Sequence, residues 1–207
     1  MRLGLSRMAA LEKAAGACSA RAGSGEEIPD FREIPLGPRT RQAVDAALTT
    51  SIWLARHWLV LANCAFLVAL LGAAAAPIAA ASGLSWLADP LYASYRLVCH
   101  QLPSRSFHIL GHQMAFCERD VATYGSMALA GMAFAQAGRR WRPLPWRWYL
   151  LSLMPLAVDG FTQLLGMRES NWELRLLTGT IFGTATVLLA YPNLERFARE
   201  VLAEGRR

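Results

Sequence analysis

The stretch W-L-V-L-A-N-C-A-F-L-V-A-L-L-G-A-A-A-A-P-I-A-A-A, residues Trp58–Ala81, decides the fold class. It runs for 24 residues without a charge and with a single amide, Asn63. A helix crosses a hydrocarbon core with about 20 apolar residues, so this segment is long enough to span. Its neighbours repeat the pattern. Val121–Gly138 is apolar and rich in Ala, Gly and Met. Trp146–Gly166 opens with Trp146, Trp148 and Tyr149, the aromatics favoured at a membrane interface. Leu174–Pro192 is a shorter fourth candidate.

The expectation is an all-α, polytopic integral membrane protein of 207 residues with about four transmembrane helices, at 58–81, 121–138, 146–166 and 174–192. Together they make a membrane domain over 58–192, with a long outer-face loop at 82–120. Hydrophobic residues at 54% against 17% charged fit that class, and the mean hydropathy of only +0.25 averages two unlike parts. Residues 1–40 are polar, carry Gly, Pro, Ser, Arg and Glu without periodicity, and read as a disordered cytoplasmic tail. Met1–Ala20 lacks the apolar core of a cleaved signal peptide. Residues 41–57 place Val44, Leu48, Ile52 and Ala55 on one stripe, as an amphipathic lead-in helix does. Residues 193–207 form a second tail.

Charge sets the direction. The net charge of +6 is carried by 20 arginines and Lys13. Eight basic residues precede the first span, four lie at Arg139, Arg140, Arg142 and Arg147, and four follow the last span. The opposite side holds Arg96, Arg105, Arg119, Arg168 and Arg175. The positive-inside rule then expects both termini in the cytoplasm and a multi-pass protein of the cytoplasmic (inner) membrane. The bases follow the bilayer and not a nucleic-acid face, so no nucleic acid is expected as partner. The lipid bilayer is the expected partner. Protein partners are not legible.

The outer loop concentrates chemistry. Cys99, His100, His108, Cys117 and Asp120 are the metal or redox candidates, with His112 nearby, because thiolate and imidazole suit zinc, copper or iron. A transition metal or haem is the cofactor such a set would take. The spacing lacks the paired C-x2-C and H-x3-H pattern of structural zinc, and His108 and His112 share a face only if that stretch is helical. A Cys99–Cys117 disulfide is the competing chemistry, contributing about 3 kcal/mol by closing the loop. Ordinary packing of cysteines and hydrogen-bonded histidines is the third. Cys18 lies in the tail, and Cys64 sits inside the first span, where packing is the default. The loop's first part, Leu84–Val98, is expected to lie along the interface as a short helix interrupted near Pro90.

Polar residues inside the spans point at the same level. Asp159, Thr162, Gln163 and Gly166 recur at i, i+3, i+4 and i+7 and so share one helix face. A carboxylate at bilayer depth costs roughly 2.5–3.5 kcal/mol unless partnered, and Arg175 or Arg119 are the partners at hand. Arg175, Thr178, Gly179 and Gly183 mark a second stripe, in which Gly179 and Gly183 form a small-xxx-small pair. Asp120 and Tyr124 stand one turn apart. Gln101, Arg105, Arg119, Tyr124, Asp159, Gln163, Arg168, Asn171 and Arg175 are thus the ligand or polar-network candidates. The arginine forks also match an anionic lipid headgroup, whereas arginines snorkelling at helix ends are the ordinary alternative.

The residues C-H-Q-L-P-S-R-S-F-H-I-L-G-H-Q-M-A-F-C-E-R-D (99–120), then Tyr124, then P-L-A-V-D-G-F-T-Q-L-L-G-M-R-E-S-N-W-E-L-R-L-L-T-G (155–179) resemble the family of prokaryotic membrane proteins termed domain of unknown function 2085. The resemblance covers about 91–183. Many members look like C-x-R-C where this chain has Cys117-Glu118-Arg119-Asp120, so a C-x-x-C pair does not carry over. The resemblance implies several spans and no established activity. The best functional expectation is an outer-face metal or small-ligand site built from the Cys/His/Arg loop and the polar membrane residues. The alternatives are a structural or assembly protein with a disulfide-stapled loop and, further off, an enzyme acting on a lipid headgroup. No phosphate loop, dinucleotide fingerprint, H-E-x-x-H or G-x-S-x-G occurs.

Overall fold

The computed structural model describes residues 37–205. The tail expected over 1–40 therefore lies almost wholly outside the described residues. Two units meet at residues 46 and 47, and the packing and site described below belong to the second, 47–207. Five α-helices lie among the described residues: α1 Pro38–Ala81, α2 Ser85–Tyr95, α3 Glu118–Gln136, α4 Trp146–Leu164 and α5 Trp172–Glu204. Between α2 and α3 stand one 3-10 turn, Pro103–Arg105, and a small hairpin, β1 His108–Ile109 with β2 His112–Gln113.

Helix α1 is continuous over 44 residues, so the lead-in segment and the first apolar stretch are one element. Only α1 and α5, among the described residues, are long and apolar enough to count as membrane spans by length and composition. Helices α3 and α4 have 19 residues each. The chain stops α4 at Leu165 because Gly166 takes φ +66°, a left-handed turn that glycine adopts without strain. Helix α5 runs twelve residues beyond Pro192, which bends no element to a stop. Pro90 likewise sits inside an unbroken α2.

Helices α3 and α5 form the central pair. Added side-chain atoms on Gly179 would meet the Arg119 carbonyl and Thr123, and on Gly183 would collide with Ser126 and the Thr123 carbonyl. Bare glycine backbone on α5 is therefore what lets α3 lie against it. Below this contact Leu59, Met127, Phe134, Val187 and Tyr191 form an apolar cluster. There Tyr191 donates to Asn63 Oδ1 at 3.1 Å, so the one amide of the first apolar stretch is partnered.

The loop packs onto the end of α1. Pro77 has no N–H, so the Ala73 carbonyl one turn earlier lacks its helical donor. The Ala115 amide supplies it at 3.2 Å. Ala73, Ala76, Cys99, Met114, Ala115 and Phe116 close into a second core, in which Phe116 stacks on Tyr124 at 4.9 Å. Tyr95 seals the edge by donating to the Ala69 carbonyl at 2.6 Å, over Gly72, whose missing side chain makes room. His108 and His112 lie on the two strands of a hairpin and not along a helix, His108 opposite Gln113 and His112 opposite Ile109. Leu110 (φ +52°) and Gly111 (φ +81°) are both left-handed, the backbone of a type I′ turn.

Candidate functional site: a thiol and carboxylate cluster above an arginine lattice

Helix α4 carries the clearest polar signal. Its one buried residue is Asp159, only 1% exposed, while Leu151, Met154, Val158, Phe161 and Leu164 point outward. An aqueous protein places these the other way round. Asp159 takes two guanidinium groups, Arg119 from α3 and Arg168 at 2.8 Å, and the Gln163 amide at 3.0 Å. Arg168 also donates through Nε to the Thr162 hydroxyl at 3.2 Å. The i, i+4 spacing of Asp159 and Gln163 is what brings the last pair together.

Arg175 does not reach Asp159. It pairs with Glu118 at 3.0 Å, and both are buried. Glu118 was not among the sequence candidates. Its signal was indirect: once Asp159 is taken by Arg119 and Arg168, a buried Arg175 needs another acid at the same level. Asn171 caps α5 by accepting from the Leu174 amide at 3.0 Å and donates to Glu173, so its role is structural. Tyr124 sits in the aromatic stack below the loop.

Above this lattice lies the cluster proper. The Sγ atoms of Cys99 and Cys117 and a carboxylate oxygen of Asp120 all lie within 4.8 Å of one another. Cys117 precedes α3, and its backbone N–H donates to Cys99 Sγ at 3.2 Å, while its thiol donates to Asp120 Oδ2 at 3.2 Å. Both thiols are free. The side-chain contact with the Cys117 thiol pulls the Cys99 thiol below its ordinary pKa. The same contact, followed by burial and the Asp120 charge, pushes the Cys117 thiol well up. The two thiols are thus shifted in opposite directions.

The cluster forms part of the wall of a cavity of about 530 Å³ that also involves His100, Gln101, Arg105, Arg119, Gln163 and Arg175. His100 additionally borders a neighbouring recess with Asp89, Arg96 and His112. His108 is exposed on β1 and stands in neither lining. Of the five metal or redox candidates, the structure therefore brings Cys99, Cys117 and Asp120 together, keeps His100 in the same cavity wall and leaves His108 outside it. Gln101 shapes the rim: it holds φ +51°, its amide donates to the Tyr92 carbonyl at 2.8 Å, and its carbonyl accepts from Gln113 at 2.8 Å. Such a backbone persists only where neighbours over-determine it, as the two hydrogen bonds do here.

Comparison with known proteins follows this geometry closely. The family profile described as a predicted membrane protein, domain of unknown function 2085, matches residues 99–189, the stretch that supplies the cluster, the lattice and the glycine contact. An uncharacterised protein of Methanocaldococcus jannaschii is 47% identical over 105 residues, 49% of this chain and 67% of the relative. A second uncharacterised protein, from Methanothermobacter thermautotrophicus, is 35% identical over 96 residues, 46% of this chain and 86% of that one. No solved structure matches. With one relative covered over two thirds of its length and another over most of it, the chain belongs to the family of predicted membrane proteins called domain of unknown function 2085.

Proposed function

We propose that this is a four-span protein of the cytoplasmic membrane, termini inside, whose outer face binds a metal or small ligand at the Cys99–Cys117–Asp120 cluster. Beside α1 and α5, the other two spans rest on α3 and α4, which are long enough to cross but less apolar. Nineteen residues make a helix about 28 Å long, close to the ~30 Å hydrocarbon thickness. The outward apolar face of α4 and its inward carboxylate suit lipid contact better than water. A Leu110→Cys variant in a background lacking the native cysteines tests the topology. Labelling by an impermeant maleimide from outside supports it, and labelling only after the membrane is opened overturns it.

One observation carries the binding reading: two thiols and a carboxylate, donors of the kind that hold transition metals, converge beside a cavity large enough for a small ligand. Asp159 and Glu118 hold Arg119 and Arg175, two of the three arginines that line that cavity, in ion pairs. Metal and haem content per chain, measured on detergent-purified protein and on Cys99→Ser, is the test. Near-stoichiometric metal that the variant lacks supports the site, and metal in neither sinks it. The proximity of the two sulfurs favours one rival, a stapled scaffold, which requires both thiols to be blocked in protein isolated without reductant.

A further inference from the structure

Building on the metal reading, we infer that the cluster is a three-donor, zinc-type centre whose fourth coordination position is left open to the cavity for water or a small anion. The donor set argues for the ion. Two thiolates select thiophilic metals, and the carboxylate, a harder donor, favours a divalent zinc-type ion over monovalent copper. Tetrahedral zinc with bonds of ~2.3 Å to sulfur sets two sulfurs about 3.8 Å apart. The three ligand atoms, already within 4.8 Å of one another, need to draw in by no more than about 1 Å. On binding, each thiol gives its proton to solvent and its sulfur bonds to the metal.

The open position follows from what surrounds the cluster. Structural zinc sites close with four protein ligands, whereas sites that accept an outside ligand keep three. Among the described residues no histidine or second acid joins the group of three. His100 stands in the same cavity wall but outside that group, and it is exposed. Two thiolates and a carboxylate on a divalent ion leave one negative charge. Arg119 and Arg175 are already paired with Asp159 and Glu118, but Arg105 makes no ion pair among the described residues and stands in the cavity wall. That cation offsets the residual charge and gives an incoming anion a partner. The Cys117 amide on Cys99 Sγ serves as an outer-shell contact that aims the sulfur.

The experiment is titration of the full-length protein in detergent, stripped of metal, with Co²⁺, followed by inorganic azide. One equivalent of cobalt should give a thiolate charge-transfer band and intense tetrahedral ligand-field bands. The charge-transfer band should fall in Cys99→Ser and Cys117→Ser. Asp120→Asn, which keeps the side chain's shape should either serine variant misfold, should weaken cobalt by about ten-fold or more. Azide should shift the ligand-field bands, and His100→Ala should leave both spectrum and azide response in place. A spectrum indifferent to azide, or one abolished by His100→Ala, overturns the open position while sparing the metal reading. Absence of a thiolate band in the wild type sinks both.

Discussion

Pro77 and Ala115 are joined through a carbonyl that belongs to neither: the proline frees the Ala73 oxygen inside α1, and the Ala115 amide takes it up at 3.2 Å. An interior proline ordinarily costs a helix about 3 kcal/mol. Here the missing helical bond becomes the point at which the outer loop docks. Ala73, Ala76 and Ala115, all wholly buried and all alanine or proline neighbours, let the two backbones approach.

Pro77→Ala restores an amide that competes with Ala115 for the same carbonyl. The helix end should gain protection, and Met114–Cys117 should exchange backbone hydrogens faster, by the factor of about 5–10 that one lost hydrogen bond of ~1 kcal/mol allows. Hydrogen–deuterium exchange with mass spectrometry reads both segments in one experiment. Unchanged exchange over 114–117 would mean that side-chain packing alone holds the loop.

The buried carboxylate should be asymmetric in what it needs. Asp159→Ala strands two guanidinium groups and should destabilise by about 3–5 kcal/mol, as breaking a buried pair does. Arg119→Ala should approach that loss, because its side chain is 25% exposed. Arg168→Ala should cost only about 0–1 kcal/mol, because at 43% exposure water already screens it. Thermal unfolding of the three variants in one detergent ranks them. Equal losses would show that the two arginines share the carboxylate evenly.

Much of this lattice was legible because a charge in an apolar run announces its own need for a partner. Asp159 and Gln163 at i, i+4 and the Gly179/Gly183 pair follow from helical spacing on single segments, and Arg119 is one of the two arginines at hand as partners for Asp159. What escaped was the pairing between segments. Arg175 had acids at the right level in Asp159, Glu118 and Asp120, and periodicity does not choose among them. The hairpin escaped for another reason. His108 and His112 stand at a spacing that suits one helical turn, and only the left-handed pair Leu110–Gly111 puts them on separate strands, opposite Gln113 and Ile109. Leucine rarely takes that conformation, so the residue itself gave no turn signal.

That leucine makes a prediction of its own. At φ +52° a side chain with a Cβ and no local polar group costs roughly 1–2 kcal/mol, and Asn-Gly is the favoured pair for this turn. Leu110 is 71% exposed, so its replacement loses little packing. Leu110→Asn should stabilise the hairpin by about 1 kcal/mol, seen as slower exchange at Phe107–Met114. Slower exchange is required; faster exchange would mean that the leucine contacts something the protein needs.

The two thiols should betray each other's presence in metal-free protein. Cys99 sits low because Cys117 donates to it, and Cys117 sits high chiefly because of that same contact. Cys117→Ala removes the neighbouring thiol while keeping the backbone N–H on Cys99 Sγ, so the pH at which Cys99 becomes reactive should move up. Cys99→Ala removes the acceptor, so Cys117 should move down, yet remain above an ordinary thiol because burial and the Asp120 carboxylate still oppose its charge. Asp120→Asn takes away that remaining charge and should lower Cys117 again without reversing the order. Alkylation rates against pH, taken in a chelator and resolved by mass spectrometry at each cysteine, give both midpoints. Opposite shifts in the two alanine variants are the signature of a shared hydrogen bond. Shifts in the same direction would mean that burial alone sets the two thiols, and the Cys117 hydrogen bond would then have no part in preparing Cys99 to bind.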